Sequence, residues 1–429
     1  MSRVVQFVAG HKRWLIVVLL AGFSVSNYVN RQALSVLAPT LRLELGITTE
    51  QYSYVISTFL AAYAIGFAFS GRLLDRIGVK AGLALALGAW SLIGMGHAAI
   101  VGWLSLAMAR FLLGIAQSGN SPGGMKTISE WIPPRERGLC SAVFSNANSL
   151  GSVLAPPIVA GITLWLGWRY AFLIVGASGF VLLAVWWLVY DKPETHPKLS
   201  EAERAHILRN RAQVEAAPGA KPVPYRVLLK DRRCLGVAVI PFLTDPFAYF
   251  MAFWLIDYFQ TVRGFSLQMI ALLGWIPYLA SPLFGGPVGG ALSDWLVRRG
   301  VPPHVARMRM MFAAACITPL ALVAVRTEHS WLAIVIVTLL VAANSCWSVN
   351  RLTLSTELVP RSRVASLVSL GGIAGALGGI VAMLVAGRLI ATVGYVPVFT
   401  GLGFLHLTAF ALFYTLQRGR PAQASATPA

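Results

Sequence analysis

The chain has 429 residues, 57% of them hydrophobic and only 12% charged, with a formal net charge of +19. Soluble proteins carry about 25% charged residues, so this chain cannot cover a water-soluble fold of its length. The apolar content excludes disorder as well, and a polytopic membrane protein remains.

A helix that spans a hydrocarbon core about 30 Å thick needs about 20 mostly apolar residues. Twelve stretches meet that requirement: 14–39, 51–71, 79–100, 103–128, 139–163, 168–190, 235–260, 267–292, 310–326, 331–355, 364–388 and 394–416. Each is expected to be helical, because lipid offers the backbone no hydrogen-bond partner and the stretches are too long and too evenly apolar for barrel strands. The first runs on through Tyr28 and Arg31 with no small-residue cleavage site, so it reads as a span and not as a signal peptide. The expected fold class is an all-α polytopic membrane protein, with twelve transmembrane helices in two pseudo-symmetric six-helix bundles.

Residues 191–234 form the one long hydrophilic stretch between spans and divide six from six. The expected organisation is a first bundle over 1–190, a cytoplasmic linker over 191–234, a second bundle over 235–417 and a disordered polar tail over 418–429. Within the linker, Ser200-Glu201-Ala202-Glu203 reads as a capping box opening a short amphipathic helix to about residue 214, with Pro218, Pro222 and Pro224 beyond it.

An even number of spans places both termini on one side. Most of the 35 basic residues lie in the loops of that side, whereas the opposite loops hold Arg42, Arg169, Arg263 and Arg326. This asymmetry sets both termini in the cytoplasm, and the expected location is a bacterial-type inner membrane. The basic excess is therefore a topology signal, and no nucleic-acid partner is expected. Nothing points to an enzyme: there is no nucleotide loop, the seven histidines form no cluster, and Cys140, Cys234, Cys316 and Cys346 form no CxxC pair. No cofactor and no metal site is expected.

The two halves repeat. Gly71-Arg-Leu-Leu-Asp75-Arg76 after the second span is echoed by Gly290-Ala-Leu-Ser-Asp294 after the eighth. Ser129-Glu130-Trp-Ile-Pro133-x-Arg135-x-Arg137 after the fourth is echoed by Thr356-Glu357-Leu-Val-Pro360-Arg361-x-Arg363 after the tenth. Internal repeats of this kind mark transporters that bind substrate near the midplane between halves. Asp75, Arg76, Glu130, Arg135, Arg137, Asp294, Glu357 and Arg361 are the expected cytoplasmic gate, with Asp75 paired to Arg135 or Arg137. The alternative is a set of turns that fold well and obey the charge rule.

These loops on a six-plus-six pattern resemble the major facilitator superfamily over essentially the whole chain. Finer features resemble its anion:cation symporter branch, especially the hexuronate and related sugar-acid transporters. They are Asn27-Tyr28-Val-Asn30-Arg31-Gln32, Gly114-Ile-Ala-Gln117-Ser118-Gly119-Asn120 through Lys126, Leu243-Thr244-Asp245-Pro246 and Trp347-Ser348-Val-Asn350. The resemblance implies a secondary transporter of a small organic anion working by alternating access, with H+ or Na+ as co-ion and a monomeric assembly in the lipid bilayer. It implies that Arg31 holds the substrate carboxylate, that Tyr28 and Tyr63 lie nearby as hydroxyl partners for a polyol, and that Arg110 polarises a neighbouring proton carrier.

Basic residues inside spans point the same way. Burying an arginine costs about 2.5–3.5 kcal/mol on insertion scales, so such residues usually face a cavity. Arg351, Arg388 and Lys126 lie near span ends and can snorkel. Arg31 and Arg110 lie deeper. Asn27, Asn30 and Arg31 are expected to point together from one helical face, and a guanidinium fork suits a carboxylate. A structural ion pair is the other reading of Arg31. Gln117 follows Arg110 by two turns on the same face, and Asn120 and Lys126 continue on a similar side, with Lys126 meeting a second anionic group or closing the gate. Trp347 and Asn350 are expected at the cavity from the tenth span.

Two positions depart from the resembled pattern. Many relatives have Asp where Asn30 stands, and several have Glu where Gln117 stands; amides cannot titrate, so a symporter of the usual design is in question. Asp245, just before Pro246, is the one carboxylate clearly at mid-depth and the carrier to name if protons are coupled. Its other reading is a partner for backbone groups that Pro246 frees. An uncoupled uniporter or anion exchanger is thus the second hypothesis, and a non-transporting membrane sensor the third. The glycines of Gly371-Gly372-x-x-Gly375-x-x-Gly378-Gly379 are expected to allow close helix packing and sliding.

Overall fold

The computed structural model describes residues 12–215, 228, 230, 232–358 and 361–417, and every described element is helical. Pro218, Pro222, Pro224 and the expected tail over 418–429 lie outside the described residues. Ten stretches are long and apolar enough to cross a membrane. One of them, Thr49–Ala99, holds two of the expected spans, and the expected span 103–128 is broken into two shorter helices.

The chain forms two compact units. The first takes in Met1–Gly219 and Ala252–Pro282. It begins with α1 (Lys12–Glu44) and α2 (Thr49–Gly96). Thr48 caps α2 in a reciprocal box with Gln51, which satisfies backbone donors that helix starts leave open. Within α2 the chain turns at Gly78, whose φ of 80° and ψ of 163° suit only glycine, so the Asp75 motif sits at a tight reversal. Then come α3 (Trp103–Gln117) and α4 (Asn120–Trp131), separated at Ser118–Gly119. Next are α5 (Arg137–Leu166) and α6 (Trp168–Val189), joined at Gly167 with φ 90°.

Glycine sets the close approaches in this unit. A Cβ at Gly114 would sit 2.7 Å from the Phe59 carbonyl oxygen, so α3 lies against the backbone of α2. A Cβ at Gly151 would lie 2.6 Å from Cβ of Tyr28, so α5 lies against α1. Both contacts fall next to Arg31. The linker helix α7 (Glu201–Glu215) starts after Ser200, whose hydroxyl accepts the Glu203 N–H at 3.3 Å. The Glu203 carboxylate in turn accepts the free N–H groups of Lys12 and Arg13, at 3.1 and 3.2 Å, so α7 caps α1.

The expected spans 235–260 and 267–292 are not continuous helices. The first is α8 (Arg232–Phe253), a break at Trp254, and α9 (Leu255–Thr261). The second is α10 (Leu267–Leu273), α11 (Ile276–Ala280), a π-helical turn over Ser281–Gly285, and α12 (Gly286–Arg298). The break at Trp254 frees the Phe253 carbonyl, which accepts from Ser35 Oγ at 3.3 Å and Tyr52 Oη at 3.0 Å. Buried backbone acceptors need such partners, so the break and the two hydroxyls belong together.

The second unit takes in Ala220–Met251 and Leu283–Ala429. It contains most of α8, then α12, α13 (Pro303–Ile317), α14 (Ala321–Arg326), α15 (Ser330–Leu358), α16 (Arg361–Thr392) and α17 (Tyr395–Gln417). Trp347, Met311, Ala409 and Phe413 are among the fully buried members of its core. The glycine run of α16 is a groove for α8: a Cβ at Gly375 would overlap the Asp245 carboxylate, and one at Gly378 the Phe242 carbonyl oxygen. Gly378→Val is therefore expected to destabilise the fold by about 1–3 kcal/mol through overpacking. A melting temperature equal to that of the parent in detergent would contradict this packing.

Candidate functional site

In the first unit Arg31 is half-buried, and its guanidinium lies over three rings: Tyr28 at 4.7 Å, Tyr63 at 4.7 Å and Phe59 at 5.1 Å from the centroids. All three are within cation–π range. Arg31 Nε donates to Gln117 Oε1 at 3.2 Å, and Nη2 reaches Asn27 Oδ1 at 3.5 Å. Amide oxygens carry no formal charge, so these contacts aim the guanidinium without neutralising it.

Gln117 uses both ends of its amide. Its Nε2 donates to the Asn27 carbonyl at 3.0 Å while Oε1 accepts from Arg31. An ionised carboxylate has no proton to give Asn27, so the geometry asks for glutamine here. Arg110 is fully buried and donates from Nη1 to the Arg31 carbonyl at 3.2 Å, while its Nε and Nη2 have no hydrogen-bond partner. It thus fixes the backbone that carries Arg31 and adds a positive charge beneath it.

The other expected first-unit residues separate. Asn27 joins Arg31, but Asn30 turns to the other side of α1. Its Nδ2 donates to the Ser26 carbonyl at 3.0 Å, and its Oδ1 lies where a Cβ at Gly94 would stand. Asn120 donates to Ser24 Oγ at 3.3 Å, within the contact of α4 with α1. Lys126 pairs with Asp75 at 2.6 Å and also reaches the Leu74 carbonyl at 3.3 Å, so it belongs with the Asp75 motif and lies apart from the Arg31 cluster.

The expected gate residues form local networks. Asp75 meets Lys126 in place of Arg135 or Arg137. Arg137 closes its own turn, donating to the carbonyls of Ile132 at 2.9 Å and Ser129 at 2.7 Å. Arg76 and Arg135 are exposed. Glu130 accepts the Tyr190 hydroxyl at 2.9 Å. In the second unit Arg307 bridges Asp294 at 2.8 Å and Glu357 at 3.3 Å, which links the two repeated motifs of that half. The side chain of Arg361 lies outside the described residues.

Asp245 does not stand alone. Arg351 donates to it from Nη2 at 3.3 Å, so a residue that reads as an interfacial snorkel is an ion-pair partner. Asn350 is fully buried and donates to the carbonyls of Gly289 at 3.3 Å and Cys346 at 2.9 Å, tying α15 to α12. Trp347 is fully buried, edge-on to His406 at 5.0 Å. His406 meets Asn344 Oδ1 at 3.2 Å. Among the described residues, no group of His, Cys, Asp and Glu is placed to hold a metal ion.

Residues 19–343 match the sequence profile described as Major Facilitator Superfamily. The chain belongs to the major facilitator superfamily. It is 31% identical over 413 residues to the hexuronate transporter of Escherichia coli (strain K12), covering 96% of this chain and 95% of that protein. It is 35% identical over 278 residues to the galacturonate transporter of Dickeya chrysanthemi, covering 65% and 80%. A solved structure of a bacterial homologue of the human lysosomal transporter Spinster, inward-facing and occupied, superposes with a TM-score of 0.72 at 17% identity, covering 95% of this chain and 97% of that one. The chain is thus a multi-pass membrane transporter of the superfamily and not an enzyme.

Several residues escaped the sequence reading. Phe59 completes the ring of aromatics on Arg31, and its spacing of four from Tyr63 was the available signal. Arg307 looks like any loop arginine until α13 packs beside α12. Arg42 and Asp257 pair at 3.0 Å although 215 residues separate them in the chain.

Proposed function

We propose that this transporter carries a small sugar-acid anion, of the hexuronate or related class, across the bacterial inner membrane by alternating access. The observation that carries the proposal is Arg31: a half-buried guanidinium, aimed by neutral amides and walled by aromatic rings. Such a fork binds a carboxylate, and an aromatic face next to it suits a sugar ring. The Tyr28 and Tyr63 hydroxyls supply hydrogen bonds to a polyol. The names of the hexuronate and galacturonate transporters support the same class. The excess of Lys and Arg on one side of the membrane supports cytoplasmic termini, and a monomer suffices.

Coupling is the finer question. Asn30 and Gln117 cannot titrate, so proton coupling in this chain falls to Asp245 of the second unit. Purified protein in proteoliposomes should accumulate galacturonate when the outside is made acidic. Asp245→Asn should abolish that gradient-driven accumulation while leaving exchange of labelled for unlabelled galacturonate. Accumulation that survives Asp245→Asn would remove Asp245 as carrier. The dual use of the Gln117 amide favours a second reading, an uncoupled uniporter or anion exchanger. Uptake by the parent that ignores the gradient would establish it.

A further inference from the structure

A cavity of about 160 Å3 opens within the second unit between α8, α15 and α16. Its polar lining is Asp245, Arg351 and Ser355, and Gly372 leaves open space where a side chain would stand. Drug-sized ligands occupy sites of about 300–1,000 Å3, so this one suits a small carboxylate or one end of a sugar acid.

The ion pair at its wall is loosely made. Arg351 and Asp245 share a single contact of 3.3 Å, whereas a bidentate guanidinium–carboxylate fork makes two at about 2.7–2.9 Å. Arg351 Nε is buried and has no hydrogen-bond partner. The Asp245 side chain is 28% exposed and that of Arg351 22%, so neither is sealed from an entering ion. Asp245 Oδ2 is pressed against Gly375, where a Cβ would overlap it. The carboxylate is wedged on α16, and Arg351 has donors to spare.

We infer that this cavity is a carboxylate-binding site in which an incoming anion takes Arg351 from Asp245, and that Asp245 takes up a proton from solvent as the anion binds. The inference rests on the sugar-acid reading above and adds a second anion site, distinct from that of Arg31, where anion and proton load together. Two carboxylates beside one guanidinium carry an excess negative charge, and retaining one proton removes it. The anion brings one negative charge and the proton one positive charge, so the loaded site keeps the net charge of the empty pair. Linkage then requires that anion binding strengthen as the pH falls.

The charged and titratable groups around the pair come from few directions. Among the described residues, Arg351 comes from α15 and His406 from α17, while Gly375 of α16 meets Asp245 and the Tyr249 ring of α8 packs on Gly379. His406 Nε2 meets Asn344, its Nδ1 has no hydrogen-bond partner and its ring packs edge-on against Trp347 and Phe247, but it does not line the cavity, whereas Asp245 does.

The test is calorimetric titration of the full-length protein in detergent, at mildly acidic pH, in two buffers of different ionisation enthalpy. The probes are D-galacturonate and, separately, acetate. The intact protein should take up close to one proton per anion bound at the Asp245–Arg351 site. Asp245→Asn should lose the proton uptake and bind the anion about fivefold more tightly, because the amide no longer competes for Arg351. Arg351→Gln should weaken binding on the order of tenfold or more and lose the proton uptake. The neutral double variant Asp245→Asn/Arg351→Gln should behave as Arg351→Gln does, which separates lost binding from misfolding caused by a stranded charge. Unchanged affinity in Arg351→Gln, unchanged proton uptake in Asp245→Asn, or uptake lost in His406→Gln and kept in Asp245→Asn would each overturn the inference. Acetate bound with galacturonate refused would overturn the sugar-acid reading and keep the site; neither bound would overturn both.

Discussion

Arg31→Ala should leave a folded transporter whose apparent affinity for galacturonate falls by about 2–3 kcal/mol, on the order of 30- to 150-fold. The size follows from losing hydrogen bonds to a charged partner in a half-buried, aromatic-walled setting. Arg31→Lys should recover only part of the loss. An ammonium keeps the charge and the cation–π contacts with Tyr28, Phe59 and Tyr63, but it has no fork to match two carboxylate oxygens or to meet Gln117 and Asn27 at once. The measurement is the concentration dependence of uptake into proteoliposomes, with the fold checked by thermal unfolding. Equal affinities in the parent and Arg31→Ala would remove Arg31 from the binding site.

Arg42→Ala should destabilise the first unit by about 3–5 kcal/mol, because it removes the guanidinium that meets the buried carboxylate of Asp257. Asp257 is fully buried on α9, and Arg42 Nη1 reaches its two oxygens at 3.0 and 3.3 Å while Nη2 donates to Thr49 Oγ1 at 2.6 Å. The pair does not act alone. Ser35 and Tyr52 hold the Phe253 carbonyl, and Gln260 donates to the Val36 carbonyl at 3.2 Å. Together they fasten the short helix after the Trp254 break to α1 and α2. Replacing both charges, as in Arg42→Met/Asp257→Leu, should recover most of the stability, since it removes the buried carboxylate together with its guanidinium. A parental melting temperature for Arg42→Ala would contradict this assignment.

The sequence carried the helical class because a span is defined by twenty-odd apolar residues in a row, which is a local property. The Ser200 cap of the linker helix and the glycine run of α16 were legible for the same reason, each being written in neighbours along the chain; the Glu203 half of the expected capping box was not, because that carboxylate meets Lys12 and Arg13 instead. The Arg31 cluster was partly legible. Depth and helical spacing brought out Arg31, Asn27 and Gln117. They also placed Asn30 on the same face, although its side chain turns to Ser26 of its own helix and to Gly94 of α2. Helical spacing fixes a direction to within a wide arc, and packing against small residues decides the rest. The contacts that went unseen are long-range. Arg351 finds Asp245 across 106 residues, Arg42 finds Asp257 across 215, and Lys126 finds Asp75 across 51. Nothing local to either partner announces such a pair. Each became visible only when the breaks at Trp254 and Ser118–Gly119 and the glycine contacts had set which helices touch.

Counterflow of labelled D-galacturonate in proteoliposomes tests the central claim most directly, because it reports carrier-mediated sugar-acid transport without requiring any coupling ion. Vesicles preloaded with unlabelled galacturonate should transiently accumulate the label, and glucuronate should compete while neutral galactose should not. Label that stays at the level of protein-free vesicles, or accumulation that neutral galactose suppresses as well as glucuronate does, would contradict the account.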